Sequence, residues 1–257
     1  MKKTVLITGA SSGLGLELAK IFAREGHNLV LVARSEGKLF ALKNELEMAH
    51  HIQVDVFAKD LADKDAAYDV FDFTIENKIA VDILVNNAGF GDFGAYANCD
   101  WTKQYEMVQV NISALMQLTR CYLKPMTERG SGKVLNMASV AAFQPGPMMS
   151  VYYASKAFVL SFTEALSVEL KNSGVSVMAL CPGPTKSGFE EKAELGYSGL
   201  FKHWKVATAK DVAEYGYRQL RKDKIIAVHG VMNKMVVLLS KMTPRKVVRT
   251  IVYHLQK

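Results

Sequence analysis

The sequence predicts an α/β protein. It reads as one doubly wound domain: a parallel sheet of about seven strands with helices on both faces, plus C-terminal helices. Three observations carry this. Short β-branched runs alternate with longer stretches of helical period through the first 180 residues, the pattern of βαβ units joined by right-handed crossovers. A chain of 257 residues is within the size that such a sheet reaches as one unit. Finally, no internal repeat, low-complexity tract or linker interrupts it, so one domain over 1–257 is the simplest account.

The strands are expected at Val5 to Ile7, Leu29 to Val32, Ile52 to Val56, Ile83 to Val85, Val134-Leu135 and Val175 to Leu180, with a last one at Ile225 to His229. Helices are expected between them, among others at Leu14 to Arg24, Glu36 to Met48 and Phe158 to Leu170. In the first of these, Leu14, Leu18, Ile21 and Phe22 recur at three- and four-residue steps and so share the face turned to the sheet. Gly26 follows as a C-cap. Near the C-terminal end, Met232 to Met242 reads as an apolar helix. Thr243-Pro244 then reads as N-cap and first residue of a final helix, with Val247, Val248, Ile251, Val252 and Leu255 on one face.

The composition, 49% hydrophobic and 22% charged, is close to the globular average and excludes a disordered, collagenous or coiled-coil chain. The formal charge of +7 invites a nucleic-acid or membrane reading, but it is unevenly placed. Residues 201–257 carry 13 basic and 3 acidic side chains, while residues 1–200 carry 19 and 22. No nucleic-acid recognition motif accompanies the basic tail, so no nucleic-acid partner is expected. The three cysteines, Cys99, Cys121 and Cys181, are odd in number and widely spaced, which fits a reducing, cytoplasmic setting rather than a disulfide framework. No histidine pair has metal-ligand spacing, and no metal is expected. The apolar stretch after Lys2-Lys3 is too short for a signal-peptide core, and Met235 to Leu239 is far too short to span a bilayer.

Directly after the first strand comes Thr8-Gly9-Ala10-Ser11-Ser12-Gly13-Leu14-Gly15 and then a helix. Glycines let backbone approach a ligand closely, and the free N–H groups at a helix start favour a phosphate. The spacing is G-x-x-x-G-x-G, with no Walker-type ending. Its place at the first strand-to-helix junction points to a dinucleotide. At the end of the second strand, Ala33-Arg34 stands where an acidic residue would hold the ribose hydroxyls of NAD. A guanidinium can instead grip a 2′-phosphate, so NADP(H) is expected first and NAD(H) as the lesser alternative.

With these residues the chain resembles the short-chain dehydrogenase/reductase family over roughly residues 3–190, in its NADP-preferring branch. Thr8 to Gly15 is similar to the T-G-x-x-x-G-x-G loop, and Asp60-Leu61 to the pair that meets the adenine. Asn86-Asn87-Ala88-Gly89 is similar to N-N-A-G. Asn111 stands at the place of the catalytic-helix Asn, and Ser139, Tyr152 and Lys156 at those of the Ser and the Y-x-x-x-K. Pro182-Gly183 is similar to the P-G turn, in which Thr185 and Ser187 stand for the usual Val and Thr. Y-x-x-x-K alone carries little: about one match is expected by chance at this composition, and two occur, Tyr152/Lys156 and Tyr253/Lys257. Position selects the first, 13 residues after Ser139. The neighbouring Tyr153 also reaches the Lys156 face, but the family register selects Tyr152.

The resemblance implies a Rossmann-type fold, a nicotinamide cofactor and reversible hydride transfer between that cofactor and a ketone or secondary alcohol. It places Asn111, Ser139, Tyr152 and Lys156 as catalytic. It places Gly9, Ser11, Ser12, Gly13, Leu14, Gly15, Arg34, Asp60, Leu61, Asn87, Ala88, Gly89, Tyr152, Lys156, Pro182, Gly183, Thr185 and Ser187 at the cofactor. Tyrosine has an ordinary pKa of about 10, and a nearby cation favours tyrosinate, so Lys156, one turn on, is expected to lower the pKa of Tyr152. Ser139 would hydrogen-bond the substrate oxygen, and Asn111 would hold a water linking Lys156 to solvent. The alternatives are a dinucleotide-binding sensor that does not turn over and a membrane-surface protein acting through its tail.

By family analogy, 182–210 is a substrate lid, bearing Phe189, Leu195, Tyr197, Leu200, Phe201 and Trp204. With Phe90, Phe93, Phe143, Met148 and Met149 it would form an apolar pocket for a steroid, fatty-acyl or aromatic ketone. The basic helical extension 231–257 could meet a membrane peripherally, pack on the body, or join a second subunit in a homo-oligomer (dimer or tetramer).

Overall fold

The computed structural model of the protein describes residues 2–188 and 206–256. The first strands and helices run β1 (Thr4–Thr8), α1 (Gly13–Arg24), β2 (Asn28–Ala33), α2 (Glu36–His50), β3 (Val54–Ala58), α3 (Ala66–Glu76) and β4 (Ile83–Asn86). Next come α4 (Trp101–Val108) and α5 (Leu115–Glu128), joined without a break by a π-helical stretch, Gln109–Ala114. There follow β5 (Gly132–Met137), α6 (Ser150–Glu169), β6 (Val175–Cys181), β7 (Thr185–Lys186), β8 (Ala207–Thr208), α7 (Ala209–Leu220) and β9 (Ile226–Val228). Two helices close the chain, α8 (Val231–Met242) and α9 (Arg245–Gln256).

Seven strands form a wholly parallel sheet in the order β3-β2-β1-β4-β5-β6-β9, as expected of a Rossmann-type fold. Strands 7 and 8 make a separate two-stranded parallel pair. Because side chains alternate along a strand, Val5 and Ile7 enter the core under α1, α2 and α7, while Leu6 enters the core under α3 and α5. Both faces are buried, which is why these strands read as continuous apolar runs. Phe22 of α1 is fully enclosed and meets Tyr217 of α7 edge-on; cutting it to alanine would cost about 3–5 kcal/mol.

Several boundaries differ from expectation. The third strand starts at Val54, two residues late. His51 ends α2 in a left-handed conformation, and the Gln53 N–H is taken by the Asn28 side chain, so the chain enters the ladder only afterwards. The helix expected from Phe158 begins at Ser150, which places Tyr152 and Lys156 in its first two turns. The final helix starts at Arg245, and Pro244 precedes it, its carbonyl accepting from the Val248 N–H.

The strand order reverses between β1 and β4, and in open α/β sheets the crevice beyond such a switch point receives ligands. The glycine loop, Ala33-Arg34, Asp60-Leu61, N-N-A-G, Ser139 and Pro182-Gly183 each follow the C-terminal end of a sheet strand and so open on this edge, while Tyr152 and Lys156 come from the start of α6. Of the expected lid, residues 189–205, with all six of its aromatic and leucine side chains, lie outside the described residues.

Candidate active site

A cleft of about 610 Å³ lies along this edge. It gathers the glycine loop, Arg34, Asp60-Leu61, Asn87 to Gly89, Ser139 and the Pro182 to Ser187 turn from six different strand ends, and Tyr152 and Lys156 from α6. Two expected members, Gly15 and Asn111, stand behind its wall instead.

The glycine loop has a visible reason for each glycine. Gly9 and Gly13 take positive φ of 66° and 56°, strained for any other residue. A Cβ at Gly13 would stand 2.7 Å from the Ser187 carbonyl, and one at Gly15 would run into the Gly9 carbonyl and the Asn87 amide. Gly15 therefore shapes the loop rather than facing the cleft. The Ser12 side chain does not cap α1, so the first-turn N–H groups of that helix are left to an acceptor from the cleft. This is a cradle that fits a pyrophosphate.

Thr8 and Asn87 lock the loop to the N-N-A-G segment. Thr8 Oγ1 accepts from the Asn87 and Ala88 N–H groups at 3.0 Å each, and Asn87 Nδ2 donates to the Thr8 and Gly9 carbonyls. Beneath them a buried polar ladder crosses the sheet: Asn86 Nδ2 donates to Asn136 Oδ1 and Thr119 Oγ1, and Asn136 Nδ2 to Thr163 Oγ1. Such a fully buried chain of amides fixes the relative height of β4 and β5.

Arg34 is exposed and pairs with Asp60 at 3.4 Å. Lys59 and Ser35 line the same end of the cleft. Neither was singled out in the sequence; the pairing of β2 with β3 brings the Lys59 backbone to this end, while its ammonium pairs with Asp63 at 3.1 Å and Asp69 at 2.9 Å.

At the other end, Lys156 Nζ donates to the Met137 carbonyl at 2.8 Å and lies 5.8 Å from the centre of the Tyr152 ring. Tyr152 hydrogen-bonds Ser139. Ser139 also accepts from the Ala141 N–H at 3.1 Å, capping a short turn of 3₁₀ helix, Val140–Phe143. The expected lowering of the Tyr152 pKa is not present in the protein by itself. Burial pushes the phenol up to about 12 and the Ser139 hydrogen bond only partly opposes it, while burial pushes the Lys156 amine down to about 8. Desolvation disfavours the charged form of both groups. The ammonium also lies toward the Tyr152 ring and spends a proton on a carbonyl, so it does not offset the cost at the hydroxyl.

Asn111 sits in the π-helical stretch, a departure from α geometry frequent at functional sites. Its Nδ2 donates to the Phe90 carbonyl and Ser155 Oγ, and its Oδ1 accepts from the Phe90 N–H. It therefore grips the backbone beside Gly89, where a Cβ would stand 2.9 Å from Asn111 Oδ1 and 3.4 Å from Lys156 Nζ.

The tail supplies a wall that was not foreseen. Leu239 of α8 and Val248, Ile251, Val252 and Leu255 of α9 line the cleft, with Phe90 and Met149 from the expected apolar set. Phe93, Phe143 and Met148 lie outside the lining. Val248 and Val252 pack with Met149 and Tyr153 in one buried cluster.

The sequence profile of short chain dehydrogenases matches residues 3–197. The chain belongs to the short chain dehydrogenase family. Among its relatives is a ketoacyl reductase, HetN, of Nostoc sp., 36% identical over 183 residues that make up 70% of this chain and 63% of the relative. The chain thus spans less than two-thirds of the length of that curated relative. A solved short-chain dehydrogenase from Sphingobium yanoikuyae in complex with NADPH is 30% identical, with a TM-score of 0.84 over 93% of both chains. One from Burkholderia phymatum in complex with NAD is 26% identical, with a TM-score of 0.82 over 93% of this chain and 92% of that one.

Proposed function

We propose that this short-chain dehydrogenase interconverts a ketone and a secondary alcohol, with NADP(H) as its preferred nicotinamide dinucleotide and an apolar carbonyl compound as substrate. The observation that carries the reading is the meeting of Ser139, Tyr152 and Lys156 at one end of a cleft whose other end is the glycine loop. The dinucleotide, when bound, gives or takes the hydride.

The chain's own groups then have distinct work. The glycine loop, Gly9 to Leu14, holds the pyrophosphate on backbone N–H groups. Arg34 would hold the 2′-phosphate, and Asp60-Leu61 would flank the adenine. Asn87 to Gly89 and the turn through Pro182, Gly183, Thr185 and Ser187 would border the nicotinamide, and Lys156 would hold its ribose hydroxyls. In the reductive direction the carbonyl carbon receives the hydride, its C=O π bond opens, and the oxygen takes the Tyr152 hydroxyl proton. Ser139 Oγ holds that oxygen as charge develops on it. Burial keeps the phenol protonated at neutral pH, so the proton is in place, but its raised pKa also makes Tyr152 by itself a weaker acid than a free phenol. Lys156, one turn on, would stabilise the tyrosinate that remains once its ammonium turns from the Met137 carbonyl toward the hydroxyl, and Asn111 acts through the Phe90 and Gly89 backbone that borders Lys156.

An apolar substrate is supported by the side chains of Leu239, Ile251 and Leu255 in the cleft. The fatty-acyl class is further supported by the named activity of the Nostoc relative. The test is a panel of steroid, fatty-acyl and aromatic ketones, each with NADPH and with NADH. Reduction of at least one class with preference for NADPH is the expected result. NADPH binding with no ketone reduced would favour a sensor, and preference for NADH would overturn the role given to Arg34.

A further inference from the structure

The last two helices use only part of their apolar surface to dock. Helix α9 buries Val248, Val252 and Gln256, and α8 buries only Val237. Left outside on α8 are Val231, Met232, Met235, Leu238, Leu239 and Met242, each between 53% and 76% exposed. Their spacing puts all six within about a third of the helix circumference. On α9, Val247, Ile251 and Leu255 are exposed at four-residue steps. Leu239 of one stripe and Ile251 and Leu255 of the other also line the cleft. Single exposed apolar residues are ordinary, but six on one face of a single helix mark an interaction surface.

Charge says what kind of surface. Residues 231–257 hold six Lys and Arg and no Asp or Glu. Arg245, Lys246 and Arg249 are exposed, and among the described residues none of them has an ion-pair partner. A second copy is a poor occupant. Two-fold pairing sets a face against itself, and here it would bring two segments rich in cations together with no carboxylate from either. No described helix is long and apolar enough to cross a membrane, so the pair would lie on a bilayer and not span it.

We propose that α8 and α9 form a docking surface for an anionic lipid bilayer. The apolar stripe enters the boundary between headgroups and acyl chains, and the cations meet lipid phosphates. The mouth of the cleft then opens against the bilayer, and an apolar carbonyl compound dissolved in lipid would reach it without crossing water. The docking does not rest on the hydride-transfer reading and is tested without turnover.

The test is sedimentation of the full chain with vesicles of phosphatidylcholine alone or mixed with phosphatidylglycerol, at low and high salt. Binding to the anionic vesicles at low salt, weakened by salt, is expected. The double change Met235→Glu/Leu238→Glu, at exposed positions away from the cleft lining, should lower the bound fraction at least tenfold while NADPH binding and circular dichroism stay as in the parent. No binding by the parent, or binding that the double change leaves intact, would overturn the proposal. So would a dimer in light scattering that the double change dissolves, which would give the stripe to a second copy. Binding that appears only after deletion of 189–205 would also overturn it, by showing that the chain covers the stripe itself.

Discussion

Gln256 Nε2 donates a 2.7 Å hydrogen bond to the Tyr153 hydroxyl, joining residues 103 positions apart. Gln256 is fully buried, and the Tyr153 ring backs onto Gly146, where a Cβ would strike it. The tail is thereby fastened to the residue next to Tyr152. Gln256→Ala removes one partner and leaves a buried hydroxyl unpaired, at a cost of about 1–3 kcal/mol. Denaturant unfolding should show this loss. A several-fold fall in kcat with an unchanged KM for NADPH would show that Gln256 is also a positioning residue for Tyr152; a change in stability alone would show a structural one.

Arg34→Ala should raise the KM for NADPH roughly ten- to hundredfold, since hydrogen bonds to a charged group contribute about 1.5–3 kcal/mol. The KM for NADH should hardly move. Initial rates with both cofactors check it. Equal effects on both would remove the 2′-phosphate from Arg34.

Gly15→Ala should damage the loop although Gly15 touches no cleft surface. The added methyl meets the Gly9 carbonyl and the Asn87 amide, and overpacking of this kind costs about 1–3 kcal/mol. Fluorescence titration should show weaker NADPH binding, and thermal unfolding a lower Tm. A variant that binds NADPH as well as the parent would count against the close packing of loop and Asn87.

Lys156 has a stability signature. Burial lowers its pKa from 10.5 to about 8, so below pH 8 the folded state carries a charge that the unfolded state holds more comfortably. The penalty is full below pH 8 and fades as pH rises to 10.5, because the unfolded amine then also loses its proton. Lys156→Met should therefore abolish turnover yet raise stability at pH 7 by on the order of 1–3 kcal/mol, after loss of the Met137 hydrogen bond. Thermal unfolding at pH 7 and pH 10 checks it. The gain should be smaller at pH 10, and a variant less stable at both would contradict the burial argument.

Much of this was legible in the sequence because it depends on local patterning. Strands buried on both faces read as β-branched runs, and the glycine loop, N-N-A-G and the Ser139, Tyr152, Lys156 set kept family spacing. What stayed hidden depends on contacts across the fold. Nothing in Gln109 to Ala114 announces a π-helical stretch. Lys59 comes to the cleft only through the register of β2 and β3. The face Val247 to Leu255 reads as uniform, yet Val248 and Val252 pack on Met149 and Tyr153 while Val247, Ile251 and Leu255 stay exposed, a division set by contacts across the fold. The Tyr152 pKa was misjudged because sequence spacing gives the nearness of Lys156 but not the desolvation that both groups share.

The proposed reduction requires Tyr152 to give its hydroxyl proton to the carbonyl oxygen. The most direct measurement is the rate of NADPH consumption by Tyr152→Phe with a ketone that the parent reduces, beside its affinity for NADPH. Loss of a positioned proton donor typically costs a factor of about 10²–10⁴, so the rate should fall at least a hundredfold while NADPH binds within a few-fold of the parent. A variant that keeps the parent's rate would contradict the claim.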